Sequence, residues 1–233
     1  MRSNTYTFGF ATIVILVAAL LLSSAATLLK DRQVANEKRE KKALILKAAG
    51  IETEEIDAKF AEVIIAQVIN QKGEIIEGVE AFNINLLKQN KALKSDPTLE
   101  LNLPIYTCNT PEGKRYVFPM YGKGLWGPIW GYVALGNDLN TITGAIFDHK
   151  GETPGLGAEI STPIFEDQFA GKEIYEKGAL VSIDVLKGAG NNLSEHEVDG
   201  ISGGTITSVG VEDMLKTDFG KYQSYLDKIK SSI

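Results

Sequence analysis

An uncharged stretch near the start of the chain constrains the fold more than any other feature. No charged residue occurs from Phe8 to Leu29, and as a helix these residues would extend about 33 Å. The hydrocarbon core of a bilayer is about 30 Å thick, so residues 1–30 are predicted to form a transmembrane anchor. A cleaved signal peptide is the alternative, because residues 23–26 are small, but its apolar region is usually about 7 to 15 residues long. We therefore favour a retained anchor.

The charges around this stretch leave its orientation open. Arg2 precedes it, whereas six basic and three acidic residues lie within residues 30–42. Counting positive charges places the large domain in the cytoplasm, but long domains are translocated largely regardless of charge. Residues 31–50 are predicted to form a membrane-proximal helix that ends at Gly50.

Residues 51–233 are predicted to form one globular domain, because 44% hydrophobic and 23% charged residues are typical of globular chains.

A net charge of -6 argues against nucleic acid as a partner. The single cysteine, Cys108, excludes an internal disulfide and an iron–sulfur cluster built by this chain. Two histidines are too few for a convincing zinc site, so no metal is expected. The Gly-x-Gly-x-x-Gly string at Gly122–Gly127 leads into a strand pattern rather than a helix, which argues against direct NADH binding.

The order of local patterns predicts an α+β fold with a mainly antiparallel sheet and flanking helices. Gly136–Asp138 separates two strand patterns and predicts a hairpin turn, whereas residues 83–104 receive no assignment. Strands are predicted at Ala61–Asn70, Arg115–Pro119, Ile129–Leu135, Thr141–Phe147 and Ala179–Leu186. Helices are predicted at Thr162–Phe169, Gly204–Leu215 and Tyr222–Ile229.

A glycine-rich, hydroxyl-rich segment, Asp199–Ser208, precedes the second of these helices. Glycines allow the backbone to approach a ligand closely, and the first N–H groups of a helix favour phosphate. The plain alternative is a tight turn with a helix cap. On the pattern alone, both interpretations stay open.

The same segment resembles the flavinylation signature Asp-x-x-(Ser/Thr)-Gly-Ala-Thr, which an FAD-dependent FMN transferase recognises. Four positions match: Asp199, Ser202, Gly203 and Thr205. Gly204 replaces the usual alanine, a change that should keep the hydroxyl accessible but loosen the turn. The resemblance implies that Thr205 carries FMN covalently, as a phosphothreonine linkage, with Thr207 and Ser208 as further hydroxyls near the phosphate.

Two further segments are Glu152-Thr153-Pro154-Gly155-Leu156-Gly157 and Gly122-Lys123-Gly124-Leu125-Trp126-Gly127. Both resemble segments of the C subunit of the sodium-translocating NADH:quinone oxidoreductase and of the related G subunit of the Rnf complex. The first would lie against the flavin ring, with Thr153 and Leu156 as ring contacts; on its own it is a turn. In the second, Trp126 would be either a core residue or a neighbour of the ring, and Lys123 would lie near phosphate.

The resemblance to the C subunit is our first choice, with the Rnf G subunit as the alternative. It implies a flavoprotein that transfers electrons among the other subunits of a sodium-pumping NADH:ubiquinone oxidoreductase, and no complete activity of the isolated chain. It also implies a bacterial inner-membrane location with the domain on the periplasmic side. The anchor offers no carboxylate for an ion path, so sodium would pass through other subunits. The alternative of another class is a membrane-tethered binding module without redox activity.

Overall fold

The computed structural model describes residues 4–188, 190 and 192–231. The chain divides into two compact units, residues 1–41 and 42–233. The first unit consists of most of helix α1 (Asn4–Ala48), whose most apolar window has a mean hydropathy of 2.5 and no buried residue. The helix is therefore long and apolar enough to cross a membrane.

Helix α1 ends where the sequence predicts. Gly50 adopts a φ of 70°, a left-handed conformation that glycine takes without strain. Its N–H donates to the carbonyl of Lys47, and the N–H of Ile51 donates to the carbonyl of Leu46, both at 2.9 Å. These two bonds form a Schellman motif, which satisfies carbonyls that the helix leaves without partners.

A five-stranded antiparallel sheet forms the centre of the second unit, and its strands are adjacent in chain order. The strands are β1 (Ile64–Ile69), β2 (Leu103–Thr110), β3 (Gly113–Lys123), β4 (Pro128–Leu135) and β5 (Ile142–His149). The predicted turn at Gly136–Asp138 joins β4 to β5, and Asp138 Oδ1 accepts the N–H groups of Asn140 and Thr141, each at 3.0 Å. The sheet confirms the predicted α+β class.

The other elements surround this sheet. Short 3-10 segments cover residues 81–83, 157–161 and 167–169. The helices are α2 (Ile56–Val63), α3 (Leu86–Ser95), α4 (Pro163–Glu166) and α5 (Thr205–Lys230), and the short strands are β6 (Tyr175–Glu176), β7 (Ala179–Leu180), β8 (Asp184–Leu186) and β9 (Glu197–Asp199).

Three predicted boundaries were wrong. The two helices predicted at 204–215 and 222–229 are the single helix α5, which continues through the exposed Gly220. The strand predicted at 179–186 is divided into β7 and β8 by Ser182, whose φ of 66° is incompatible with a strand. The strand predicted at 61–70 begins only at Ile64, after α2.

The unassigned residues 83–104 contain helix α3. The side chain of Asn85 caps this helix by accepting the N–H of Lys88 at 2.9 Å. The helix has no fully buried residue. No two of its apolar residues, Leu86, Leu87, Ala92 and Leu93, are three or four positions apart, which is the spacing that indicates a helix.

Side chains alternate along the strands between the two faces of the sheet. Phe118 points to the face covered by α5, where its ring lies 4.9 Å from that of Tyr222. Val117 points to the opposite face and packs in a cluster with Ile45 and Phe60. The central strands are therefore buried on both faces of the sheet.

Candidate functional site

The predicted glycine turn leads directly into α5, whose first residue is Thr205. Gly203 has a φ of 75°, and the N–H of Gly204 closes the turn by donating to the carbonyl of Ile201 at 2.9 Å. Gly204 is the N-cap, and among the described residues no side chain caps the helix. The first N–H groups of a helix have no acceptor within it. The half-buried Thr205 therefore lies at the electropositive end of a long helix.

A pocket of about 250 Å³ opens beside this turn, and it brings together parts of all three predicted segments. Thr205 and Thr207 contribute from the helix, Glu152 from the loop after β5, and Trp126 from the loop between β3 and β4. The complete lining is Leu125, Trp126, Glu152, Thr153, Leu156, Gly157, Gly203, Gly204, Thr205, Ile206 and Thr207.

Glu152 connects the three segments. Its side chain is 5% exposed, and its Oε2 accepts the hydroxyl of Thr207 at 2.6 Å, across 55 positions of sequence. Its Oε1 accepts the N–H of Trp126 at 2.8 Å. The N–H of Glu152 itself donates to His149 Nδ1 at 3.2 Å, so that ring nitrogen is the acceptor.

Burial and hydrogen bonding act on the pKa of Glu152 in opposite directions. Burial alone raises this pKa, whereas the hydroxyl of Thr207 and the backbone N–H groups of Trp126 and Gly127 lower it. The hydrogen bonds prevail, and the pKa lies below its ordinary value of 4.5. The pocket wall therefore holds an ionised carboxylate at neutral pH.

Two glycines make room for this carboxylate. A Cβ at Gly157 would lie 2.5 Å from both Glu152 Oε2 and the Thr207 hydroxyl, and a Cβ at Gly124 would lie 2.6 Å from Glu152 Oε1. Such distances are far shorter than a van der Waals contact. The spacing of glycines in both loops is therefore needed for packing around Glu152.

The replacement of alanine by Gly204 also has a structural reason. A Cβ at this position would lie 2.9 Å from Cγ2 of Ile201. The alanine that is usual in the signature would have to displace that side chain in this protein. Glycine at position 204 therefore leaves room for the side chain of Ile201.

Several predicted residues lie outside the pocket lining. Asp199 ends β9, with its N–H bonded to Gln168 Oε1 at 2.8 Å. The hydroxyl of Ser208 is buried and accepts the N–H of Ile201 at 3.0 Å, which holds the turn against α5. Ser202 and Gly155 are exposed. These residues shape or flank the site without facing its cavity.

Lys123 lines a different cavity, a groove of about 710 Å³ between α3, the end of β3 and α5. Lys221 also lines it and forms an ion pair with the buried Asp218 at 2.6 Å. Burial raises the pKa of Asp218 despite Lys221 and the N–H of Tyr121. Five lysines line this groove: Lys91, Lys94, Lys123, Lys150 and Lys221.

The sequence interpretation missed two lining residues, Leu125 and Ile206. Both are large apolar side chains with about half of their surface exposed, 47% and 58% respectively. Each is adjacent in sequence to a predicted site residue. A large apolar residue within a segment of glycines and hydroxyl residues is unusual and could have indicated a contact with a ligand. Trp126 is 69% exposed, which excludes the alternative that it belongs to the core.

No cluster of three or more histidine, cysteine or acidic side chains suited to a metal occurs in the part of the chain that the structure describes. The titratable groups at the pocket are Glu152 and, behind it, His149. Glu152 accepts the hydroxyl of Thr207, and His149 Nδ1 accepts the N–H of Glu152.

Comparison with known proteins bears on this site directly. Residues 124–217 match the FMN-binding domain family, and this range contains the whole pocket lining. The crystal structure of the C subunit of the Na(+)-translocating NADH-quinone reductase from Parabacteroides distasonis is similar, with a TM-score of 0.76 and 38% identity. It covers 85% of this chain and 96% of that one. NqrC of Shewanella oneidensis has a TM-score of 0.73 at 26% identity, covering 84% of this chain and 99% of that one.

Curated relatives give the same result over nearly the full length. The C subunit of the Na(+)-translocating NADH-quinone reductase of Haemophilus ducreyi is 32% identical over 96% of this chain and 95% of its own length. Its counterpart in Vibrio alginolyticus is 33% identical over 88% of this chain and 86% of its own length. The first of the two family resemblances is thereby confirmed. The chain belongs to the family of C subunits of the Na(+)-translocating NADH-quinone reductase.

Proposed function

We propose that this protein carries FMN in a phosphoester bond on Thr205 and passes electrons between other subunits of a sodium-translocating NADH-quinone reductase. One observation carries the proposal: the hydroxyl-bearing first residue of α5 shares a pocket with Trp126 and the loop from Glu152 to Gly157. The FMN-binding domain match and the names of the relatives support it.

The start of α5 suits a phosphate. The first N–H groups of a helix point out of its N-terminal end, and neither Gly203 nor Gly204 has a side chain that would block an approaching group. A helix dipole typically contributes only about 0.3 to 1 kcal/mol at an exposed site. Glu152 adds a like charge to the pocket wall. A covalent bond would retain a phosphate that these forces alone would hold weakly.

The apolar side of the pocket suits an aromatic ring. Leu125, Trp126, Leu156 and Ile206 all expose apolar surface around the cavity. A flat ring placed over them would remove that surface from water, at about 25 cal/mol per Å². The cavity of about 250 Å³ is smaller than the roughly 300 to 1,000 Å³ of enclosing ligand pockets. Part of the ring would stay outside, where another redox centre can approach.

Bound FMN would supply the one-electron chemistry, and this chain would retain and orient it. Thr205 would hold the phosphate, and the exposed apolar residues would support the ring. The phosphoester is remote from the ring electronically. The redox properties would therefore depend on the residues around the ring.

The remaining assignments follow the family resemblance. We assign residues 1–30 to an inner-membrane anchor, 31–50 to the membrane-proximal part of α1, and 51–233 to an FMN domain on the periplasmic side. An FAD-dependent FMN transferase would attach the flavin. Sodium would pass through other subunits, because Phe8–Leu29 contains no carboxylate. Ubiquinone would also be reduced at other subunits, as the family resemblance implies.

Flavin fluorescence and intact mass test the proposal together. Full-length protein coexpressed with the transferase should give a fluorescent band on a denaturing gel and a mass increased by FMN less one water. Thr205→Val should lose both signals, whereas Thr205→Ser should keep them because it retains a hydroxyl. A fluorescent Thr205→Val protein would place FMN elsewhere, and full-length protein without flavin would favour the non-redox binding module.

A further inference from the structure

The pocket wall contains a buried negative charge that attachment of a phosphate to Thr205 does not require. Glu152 is one of the few buried acidic residues of the described chain. Its carboxylate lies 2.6 Å from the hydroxyl of Thr207, two residues beyond Thr205 on the first turn of α5. A group held on Thr205 therefore shares a small cavity with this charge.

The surroundings of Glu152 hold the carboxylate without neutralising it. Its oxygens accept the hydroxyl of Thr207 and the N–H of Trp126, both neutral donors. Among residues 4–188, 190 and 192–231, no lysine or arginine forms an ion pair with Glu152. The electrostatic effect of the neighbouring His149 also lowers the pKa of Glu152. The absence of a side chain at Gly124 and Gly157 leaves space for both carboxylate oxygens.

We infer that Glu152 lowers the reduction potential of a flavin attached at Thr205, through the field of its buried charge. This inference rests on the proposed function. An electron added to the ring brings negative charge into a partly desolvated pocket, where a fixed like charge acts more strongly than in water. The oxidised flavin is thereby favoured, and the potential falls.

Glu152→Gln is the appropriate test variant, because glutamine has nearly the same shape and removes only the charge. Its carbonyl oxygen can accept the N–H of Trp126, and its amide can donate to the Thr207 hydroxyl. Glu159→Gln is the matched control. Glu159 is half-buried in the same loop, accepts the N–H of Gly155 at 2.9 Å, and is not part of the pocket lining.

The measurement is a spectroelectrochemical titration of full-length, flavinylated protein with dithionite and redox mediators. Glu152→Gln should shift the midpoint potential to a more positive value, and Glu159→Gln should shift it much less. Thermal unfolding of both variants shows whether the fold is retained. Glu152→Asp keeps the charge and should keep a potential closer to that of the unaltered protein.

The two proposals fail in different ways. Protein that carries no FMN on Thr205 contradicts the proposed function before any potential is measured. Flavinylated Glu152→Gln with an unchanged or more negative potential, or with a shift no larger than that of Glu159→Gln, overturns the role of Glu152 alone. A purely structural role would alter the unfolding temperature without this directional difference in potential.

Discussion

The two cavities beside α5 differ in ways that their sizes do not suggest. The groove is nearly three times as large, about 710 against 250 Å³, and five lysines line it. It would be the obvious choice for an anionic cofactor. No lysine lines the smaller pocket, yet it holds Gly203 and Thr205 of the matched motif, a helix start without a side-chain cap, and an ionised Glu152. The candidate flavin site is distinguished from the groove by the glycine turn at Gly203 and Gly204 and by the hydroxyl of Thr205, to which the flavin phosphate would be bonded. Neither its volume nor its charge distinguishes it.

Buried carboxylates near the two cavities also behave differently. Glu152 is surrounded by neutral donors that keep it ionised, and its pKa is lowered. Asp218, beneath the groove, is so deeply buried that its pKa is raised even beside Lys221. Glu152 lies in the wall of the smaller pocket, whereas Asp218 joins α5 to β3 by accepting the N–H of Tyr121 at 2.7 Å.

Flavin content should separate the two cavities most clearly. Thr205→Val should abolish covalent flavin, because valine has the shape of threonine without the hydroxyl. Thr217→Val, on the same helix but in the groove, should keep all of it. The flavin absorbance per polypeptide measures both. Equal flavin content in the two variants would remove the functional distinction between the cavities.

Loss of the carboxylate beneath the groove should cost the most stability. Asp218→Ala removes the acceptor of the Tyr121 N–H and leaves Lys221 with Asn90 Oδ1 as its acceptor, a loss of about 3 kcal/mol in the free energy of unfolding. Urea denaturation of the second unit within the full chain measures it. Flavin attachment to the folded fraction should persist, whereas a loss of attachment in folded protein would connect the two cavities.

Filling the space around Glu152 should have a smaller effect on stability and a specific one on the pocket. Gly157→Ala places a methyl group against Glu152 and Thr207 and should lower the free energy of unfolding by about 1 to 3 kcal/mol. Gly151→Ala in the same loop meets no atom within 4 Å and serves as the control. Similar unfolding midpoints for both variants would contradict the tight packing described above.

Acid titration should give opposite signs for the two carboxylates. Because the pKa of Glu152 is lowered, this residue contributes to stability above pH 4.5. The contribution is lost as the pH falls through the folded-state pKa of Glu152. Because the pKa of Asp218 is raised from 3.8, stability instead falls as the pH rises from 3.8 through its folded-state pKa. Denaturation curves of Glu152→Gln and Asp218→Asn against pH should therefore diverge from the unaltered protein in opposite directions. Parallel curves would contradict this assignment.

Lys123, which the sequence placed near the flavin phosphate, should matter least. The structure directs it to the groove, where it is exposed. Lys123→Gln should leave both flavin content and stability within experimental error, as surface substitutions usually do. A clear loss of flavin would show that the groove contributes to the site after all.

Much of the local structure was predictable from local patterns. The hairpin at Gly136–Asp138 and the end of α1 at Gly50 follow from the conformations that turn residues favour. The division at Ser182 was not predictable, because serine rarely adopts a positive φ and only its surroundings impose it here. Helix α3 was missed because none of its residues is fully buried, and its amphipathic pattern is correspondingly short.

Local sequence was sufficient to specify the apolar span, the glycine turn with its hydroxyl at Thr205, and the α+β class, because each depends on residues close together in the chain. Three-dimensional packing was needed to establish that Glu152 meets Thr207, that Trp126 is exposed at the pocket, and that Lys123 belongs to another cavity. Those contacts join residues far apart in the chain. Their geometry depends on how β3, β5 and α5 pack together, which no local pattern specifies.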